Sequence, residues 1–405
     1  MNMISSKKWR LFFIWMVVTV FVFPLSSAIA KRGGNHKTQV KVMTRNLYLG
    51  ADIFRVVEAA QTDPKSIPLV VADVFETVQA TNFYDRAEAI ADEVLKTKPD
   101  VVGIQEASTY YIQTPGDFLE GNPVQAGTVF IDFYSVLDDA LKARGLYYDA
   151  YIVTNADIEL PMVDPGSPTT FSDVRLVDHD MILVKKPLKS WEVAAGNYMN
   201  QLAMDIAGTP VTFSRGYLAV DVKIKREEYR FVNTHLEVSS SPDSVFRLVQ
   251  SAQMQELLTI VGELSVDGPP QVIMVGDFNS SPDDVPGTVI HPVYGPLPYV
   301  PPYLLATGAG YFDSWLLQKR YDEGYTSGFD EYVSDPNAEL TTRIDHIFLG
   351  PNGYKIEKVK SVVVGDDVKD MTPNGLWPSD HAGVVAKIKF SQKNYPCPAK
   401  GKKAG

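Results

Sequence analysis

One cysteine, Cys397, is all that 405 residues supply, so no internal disulfide can form and stability has to come from a packed core. A chain of this size can manage that, because larger domains bury proportionally more of their surface. Internal repeats and long low-complexity blocks are missing, which excludes solenoids and extended disorder. Lysine and arginine clusters are scarce beyond the basic tail Lys400 to Gly405, and the formal charge is −11. An acidic surface disfavours loose binding of polyanions, although a bound cation reverses the sign locally inside a catalytic cleft. No pair of His or Cys has the spacing usual for zinc, so any metal would be held mostly by oxygen.

What is present begins at the N-terminus. Lys7, Lys8 and Arg10 precede an apolar run from Leu11 to Phe23, then Pro24 and a small-residue stretch ending Ala28-Ile29-Ala30. That order is a secretory-signal layout, and the run is shorter than the roughly 20 residues a helix needs to cross a bilayer, so cleavage after Ala30 and export are expected. Loss of three basic residues and no acidic one then takes the charge from −11 to −14. Residues 31–38 read as a linker.

Strands interleave with helices in the remainder. Gln39 to Arg45 alternates Val40 and Val42 with polar neighbours and delivers Asn46 at its end. A helix over Asp85 to Lys96 places Ile90, Val94 and Leu95 on one face, and Pro99-Asp100 stops it before a buried strand, Val101 to Ile104, that delivers Gln105-Glu106. Met181 to Val184 follows the acidic group Asp178-His179-Asp180, and Tyr229 to Val232 leads into Asn233-Thr234-His235. Ser241-Pro242 opens a helix in which Phe246, Val249, Leu257, Ile260 and Leu264 recur at helical spacing, ending near Gly268-Pro269-Pro270. Gln271 to Val275 runs into Gly276-Asp277-Phe278-Asn279, Arg343 to Leu349 carries Asp345, and Ser379-Asp380-His381 precedes Ala382 to Phe390. This interleaving predicts an α/β architecture with its polar residues gathered at strand ends.

Each motif alone is weak, since a carboxylate after an apolar strand often caps a turn. The ordered set is far more specific: Asn46, Gln105-Glu106, Asn233-Thr234-His235, Gly276-Asp277-Phe278-Asn279-Ser280, Asp345 and Ser379-Asp380-His381-Ala382-Gly383. In this order the motifs resemble the endonuclease/exonuclease/phosphatase superfamily, which includes deoxyribonuclease I and the neutral sphingomyelinases. The resemblance implies an α/β fold of four layers, two mixed β-sheets packed face to face with helices outside. It places one catalytic domain over residues 39–391, followed by a basic tail at 392–405, and implies a divalent-metal-dependent phosphoesterase.

The residue types suit that chemistry. A phosphodiester resists attack because its oxygens are negative, so hydrolysis calls for a hard cation, a base for water and donors for the developing charge. Glu106 is the expected metal ligand, because Mg²⁺ favours oxygen and often uses only one or two protein carboxylates. Asn46 is expected beside it and Asp380 as a further oxygen ligand or support, with Mn²⁺ or Ca²⁺ as alternatives to Mg²⁺. Asp277 and Asn279 would orient the attacking water and a phosphate oxygen. His381 is the candidate general base, since imidazole titrates near neutral pH, and by resemblance Asp345 orients it. His235 would donate to the phosphate or protonate the leaving oxygen. Asp178 is a further candidate, by resemblance the carboxylate that orients His235; Asp180 is an equal choice, and a surface acidic cluster is the plainer alternative. His36, His179, His291 and His346 receive no role, the last because it should face the side of its strand opposite Asp345.

The histidine of Asn233-Thr234-His235 departs from the abasic-site repair nucleases, and Asp345-His346-Ile347 departs from the Cys-Asp-Arg pattern of inositol polyphosphate 5-phosphatases. Secreted nucleases and sphingomyelin-cleaving phospholipases remain, so the substrate is a phosphodiester of either nucleic acid or a phospholipid headgroup. Residues 294–305 carry Tyr294, Tyr299 and Tyr303 among prolines and read as a loop beside the site, before a strand near Gly310 to Asp313. Such rings suit a membrane interface or base stacking, or else an inert loop packed on its own side chains. No protein partner is expected. A catalytically inactive binding protein on the same fold is the competing reading, against which the full set of carboxylates and both histidines counts. Export with cleavage predicts that the chain recovered from a secreting host begins at Lys31; intact mass spectrometry finding residues 1–30 still attached would overturn this.

Overall fold

Side chains alternate between the two faces of a strand, and most strands here are apolar on both, so each sheet has to be covered twice. The computed structural model describes residues 37–391 apart from 207–208, 240–243, 266–269, 320–321 and 352. The expected signal segment, most of the linker, the Ser241-Pro242 helix start, the Gly268-Pro269 stop and the tail with Cys397 lie outside the described residues. The described residues all belong to one compact unit, Gly33–Gly405.

Among the described residues, eight strands form the first sheet: β1 (Lys37–Asn46), β2 (Val101–Gln105), β3 (Thr109–Gln113), β4 (Thr128–Asp132), β5 (Tyr148–Val163), β6 (Phe171–Lys185), β17 (Lys355–Val364) and β18 (Gly383–Ser391). Their spatial order is β17-β18-β1-β2-β6-β3-β4, with β5 also paired to β6. Six form the second: β7 (Lys189–Asn197), β10 (Gly216–Ile224), β11 (Glu227–His235), β12 (Gln271–Asp277), β15 (Phe312–Asp313) and β16 (Asp345–Leu349), in the order β15-β16-β12-β11-β10-β7. Both sheets are mixed, since β1 runs parallel to β2 and β11 to β12 while their other neighbours are antiparallel. Two hairpins, β8 (Leu202–Ile206) with β9 (Thr209–Phe213) and β13 (Gly287–His291) with β14 (Gly295–Tyr299), stand outside these sheets.

Three apolar layers hold the sheets and helices together. Val40, Val42, Val101 and Ile182 of the first sheet meet Val220, Phe231, Ile273, Val275 and Ile347 of the second. On its other face the first sheet sends Met43, Val102 and Ile104 against α1 (Phe54–Thr62), α2 (Ile67–Ala80), α3 (Phe83–Thr97) and α4 (Phe133–Ala143). The second sends Val232, Met274 and Phe348 against Met254 and Leu257 of α5 (Phe246–Glu263) and Tyr303 and Ala306 of α6 (Pro302–Gly308). The result is helices, sheet, sheet, helices: the four-layered α/β fold expected from the motifs.

Several boundaries differ from the sequence reading. Lys37 and Thr38 already belong to β1 rather than to a linker. Leu95 is turned to solvent, because α3 needs only the narrower stripe of Ile90 and Val94. Met181 to Val184 is the last part of a strand that starts at Phe171, so Asp178 and Asp180 lie within β6 and both are buried, not on a surface acidic cluster. The segment 294–305 is no loop: it forms β14 and the start of α6. Two of its tyrosines are anchored, Tyr299 accepting from Arg247 Nη1 at 3.0 Å and Tyr303 donating to Asp313 Oδ2 at 3.0 Å, which leaves only Tyr294 well exposed. The strand expected near Gly310 to Asp313 shrinks to Phe312–Asp313.

At Gly103 of β2 the backbone of the first sheet lies against side chains of the second. A Cβ there would press into Val275 Cγ2 and come within 2.7 Å of Asn233 Oδ1. Gly103→Ala should therefore destabilise the fold by about 1–3 kcal/mol through overpacking. Urea unfolding would register this as a lower midpoint, and an unchanged midpoint would mean that the sheets part there without strain.

Candidate active site

Strand alternation also places the polar residues. Asn46 shares the side of β1 with Val40 and Val42, His235 that of β11 with Phe231, and Asp277 that of β12 with Ile273 and Val275. Asp345 likewise shares a side with Ile347, and Asp178 and Asp180 with Ile182. Each lies on the face between the sheets, where β1, β11 and β12 reach their C-terminal ends. Glu106 follows β2 at φ 59° and Asn279 follows β12 at φ 47°, left-handed conformations that non-glycine residues rarely adopt and that turn the chain at this rim.

These side chains converge on one cavity of about 330 Å³. Glu106, Asp178, Arg215, His235, Asp277, Asn279, Asp380 and His381 line its polar wall, and Leu49, Ile53, Phe54, Ile158, Leu176 and Phe213 an apolar one. Asp345 stands behind His381, its Oδ2 accepting from Nδ1 at 2.9 Å, and Asn46 stands behind Glu106. Asp277 is the centre: Oδ1 accepts from Asn279 N at 2.8 Å, while Oδ2 accepts from Asn46 Nδ2 at 3.2 Å and lies 3.6 Å from His235 Nε2 and 3.8 Å from His381 Nδ1. Among the described residues, Asp277, Asp345 and His381 bring three possible ligand atoms within 4.8 Å of one another, but the bond between His381 and Asp345 already uses Nδ1.

The metal candidates Glu106, Asn46 and Asp380 are also together. Glu106 Oε1 accepts from Asn46 Nδ2 at 2.9 Å and Oε2 from Leu49 N at 2.6 Å, and Asn46 Oδ1 accepts from Tyr48 N at 2.8 Å. Burial and the charge of Asp380 push the Glu106 carboxyl up to about 8. Oxygen donors crowded at this density suit a hard divalent cation, which would relieve the repulsion. Asn46 would have to turn its amide to offer oxygen.

The two histidines are held in opposite states. Burial and the neighbouring Arg215 push His235 well below its ordinary range. Burial works against charge on His381 too, but Asp345, Asp380 and Asp277 outweigh it and raise that imidazole well above. Burial, then Asp345, lifts Asp277 to about 7.

Asp178 does not take the place expected of it beside His235. Its carboxylate accepts from Ser108 Oγ at 3.1 Å and Asn155 Nδ2 at 3.3 Å. The groups on the His235 ring are Arg215, whose Nη1 lies 2.9 Å from Nδ1 and 3.2 Å from Nε2, and Asn279, whose Nδ2 lies 3.3 Å from Nε2. Sequence reasoning missed Arg215. A lone arginine at Ser214-Arg215-Gly216, directly before strand β10, was the available signal, but it stands at the start of a strand whereas most of the site's motifs stand at strand ends. His346, as expected, faces away, 2.8 Å from Ser280 O on the α6 side.

Buried polar groups brace the rim from behind. Arg86 donates to Thr81 O, Leu47 O, Pro378 O and Tyr48 O, and Ser379 Oγ donates to Asn46 O at 2.9 Å, so the motif ends at residues 46 and 379 are tied together. Arg45 joins the His381 carbonyl to Glu93 of α3. Gln250 and Gln253, polar yet buried on α5, bond Asn279 O at 2.6 Å and Glu237 N at 2.8 Å.

A model of the endonuclease/exonuclease/phosphatase family matches residues 76–381. The chain belongs to that family. A family member from Bacteroides thetaiotaomicron is 18% identical with a TM-score of 0.50, covering 88% of this chain and 99% of its own. A mannosyl-6-phosphatase from the same organism is 17% identical (TM-score 0.49; 86% and 99% covered), and TDP2 from C. elegans is 18% identical (0.47; 86% and 75%). At 18% identity the first of these likenesses speaks for the fold alone, and nothing is drawn from the other two. No curated protein matches the sequence. For this family member, NMR of the EDTA-treated chain should find the His235 ring neutral and the His381 ring protonated at pH 6.5, with His235 titrating well below and His381 well above that point. Arg215→Met should move the His235 titration upward; a His235 that titrates near 6.5 in the wild type would contradict the placement of Arg215.

Proposed function

We propose that this chain hydrolyses phosphodiesters with the aid of a divalent cation, Mg²⁺ first, held by Glu106 with Asn46 and Asp380. The convergence of Asp277, the His381–Asp345 pair and His235 on one cavity carries this reading. The cation supplies charge neutralisation at the phosphate. Asp277 and Asn279 orient water for in-line attack, its oxygen bonding to phosphorus as the bond to the leaving oxygen breaks. Asp345 fixes His381 through Nδ1, which leaves Nε2 to exchange a proton with water or phosphate; service as the base requires the ring first to give up its own proton. Neutral His235, with Arg215 beside it, hydrogen-bonds the phosphate, and the proton that His381 takes from water at Nε2 passes on to the leaving oxygen.

The cavity walls favour a phospholipid-type diester over nucleic acid. Leu49, Ile53, Phe54 and Phe213 offer an apolar arm somewhere to lie, and Asp52 in the same lining repels a polyanion, while Glu331 beside it is offset by Arg55 at 3.1 Å. Export, as the N-terminal sequence suggests, would put this activity outside the cell.

Wild type and His381→Ala should be assayed on bis-p-nitrophenyl phosphate, sphingomyelin vesicles and plasmid DNA, with Mg²⁺ or EDTA. Turnover of the small diester and the vesicles is expected, abolished by EDTA and reduced roughly 10²–10⁴-fold by the substitution. Faster cleavage of DNA than of lipid would sink the lipid preference. Silence on all three across Mg²⁺, Mn²⁺ and Ca²⁺ would sink the hydrolase and leave the binding protein.

A further inference from the structure

A second cavity, of about 70 Å³ and not fully enclosed, lies on the helix side of the first sheet. Val57 of α1, Val71 and Phe75 of α2, Leu160 of β5 and Val174 of β6 wall it. Ile53, Ile158, Leu176 and Phe213 line both this cavity and the catalytic one, so the two lie on either side of these four residues. Strand register explains the arrangement. Ile158 pairs with Leu176 and Leu160 with Val174, successive pairs on one face of β5 and β6. One step of two residues, about 7 Å, therefore leads from the shared wall into the second cavity. Phe213 also stacks on Phe54 of the catalytic wall, with ring centroids 6.3 Å apart, so the apolar surface runs on from one cavity to the other.

Protein interiors are close-packed, with few voids larger than a water molecule. Of the described side chains around this one, only Tyr110 has a polar atom, and its hydroxyl already donates to Leu49 O at 2.9 Å. Water needs two to four polar partners to settle in a cavity, and this lining offers at most one. A hydrocarbon needs none. The volume is half the ~150 Å³ that accepts a benzene ring, so a few methylenes of one chain fit and a nucleobase does not.

We propose that this cavity takes the end of the substrate's hydrocarbon chain, which enters between Ile53, Ile158, Leu176 and Phe213 while the phosphate stays in the catalytic cavity. This rests on the phospholipid-type reading of the site and goes beyond it, because it makes the site a gauge of chain length. Val71 and Leu160, which line the second cavity and not the catalytic one, set its depth.

Measuring kcat/KM on methyl, butyl, hexyl, octyl and decyl p-nitrophenyl phosphate with Mg²⁺, each below its micellar concentration, tests this. The value should rise roughly threefold to fourfold for each methylene that enters the cavity and then level off. Val71→Phe fills the cavity and should lower the octyl-to-methyl ratio about tenfold or more. If Val71→Phe does not fold, Leu160→Ala decides, since a deeper cavity should move the plateau to a longer chain. Turnover of the methyl ester with no rise along the series, or a ratio and plateau that neither substitution moves, overturns the inference and leaves the phosphoesterase standing. If no diester turns over, the hydrolase reading fails and calorimetry decides the subsite. Octyl phosphate should then bind the wild type about tenfold more tightly than ethyl phosphate, and Val71→Phe without that margin. Equal affinities in the wild type, or no heat from either phosphate, overturn the inference.

Discussion

Two sheets facing each other across a layer of valine and isoleucine constrain what stands at the end of that layer. The side-chain period of a strand is two, so whatever follows Val275 on the same side must also point between the sheets. Asp277 is that residue, as His235 is for Phe231 and Asp345 is for Ile347. The packing that makes the core thereby aims the reactive groups, and the two functions cannot be separated by a local change. A slip of one residue in β11 or β12 would bury the wrong set and turn the site toward α5.

The cluster so assembled is strongly anionic, and it is contained by guanidinium groups rather than by lysines. Arg86 gathers four carbonyls behind the rim, Arg45 bridges the His381 carbonyl to Glu93, and Arg215 sits on His235. A planar group with five donors can hold several acceptors at fixed angles, which a single ammonium cannot. Burial pushes Glu93 up to about 7 even with Arg45 against it, a sign of how little solvent reaches this support.

Much of this was legible in the sequence where the signal was local. Short apolar strands ending in Asn46, His235 and Asp277 announced both the fold and most of the cavity, because strand, turn and reactive residue are contiguous there. Legibility failed where the deciding contact lies far along the chain. Asp178 could be read as surface or as partner of His235, and only the long pairing of β6 with β5 shows that it is buried against Ser108 and Asn155 instead. The tyrosines at 299 and 303 looked like an exposed interface until Arg247 and Asp313, remote in sequence, took their hydroxyls. Gln250 and Gln253 diluted the apolar pattern of α5 for a reason no periodicity contains: they hold loops of the site.

The strand that opens the domain pairs with the one that closes it, Lys37 with Ser391 through Thr44 with Val384. During synthesis β1 therefore emerges first and has to wait for nearly the whole chain before its neighbour β18 exists. His381, just ahead of β18, leaves the ribosome equally late. A nascent chain has Asn46 and Glu106 but no His381, and so has no complete cavity. The order of the strands therefore delays closure of the first sheet, and with it a complete cavity, until β18 has been made.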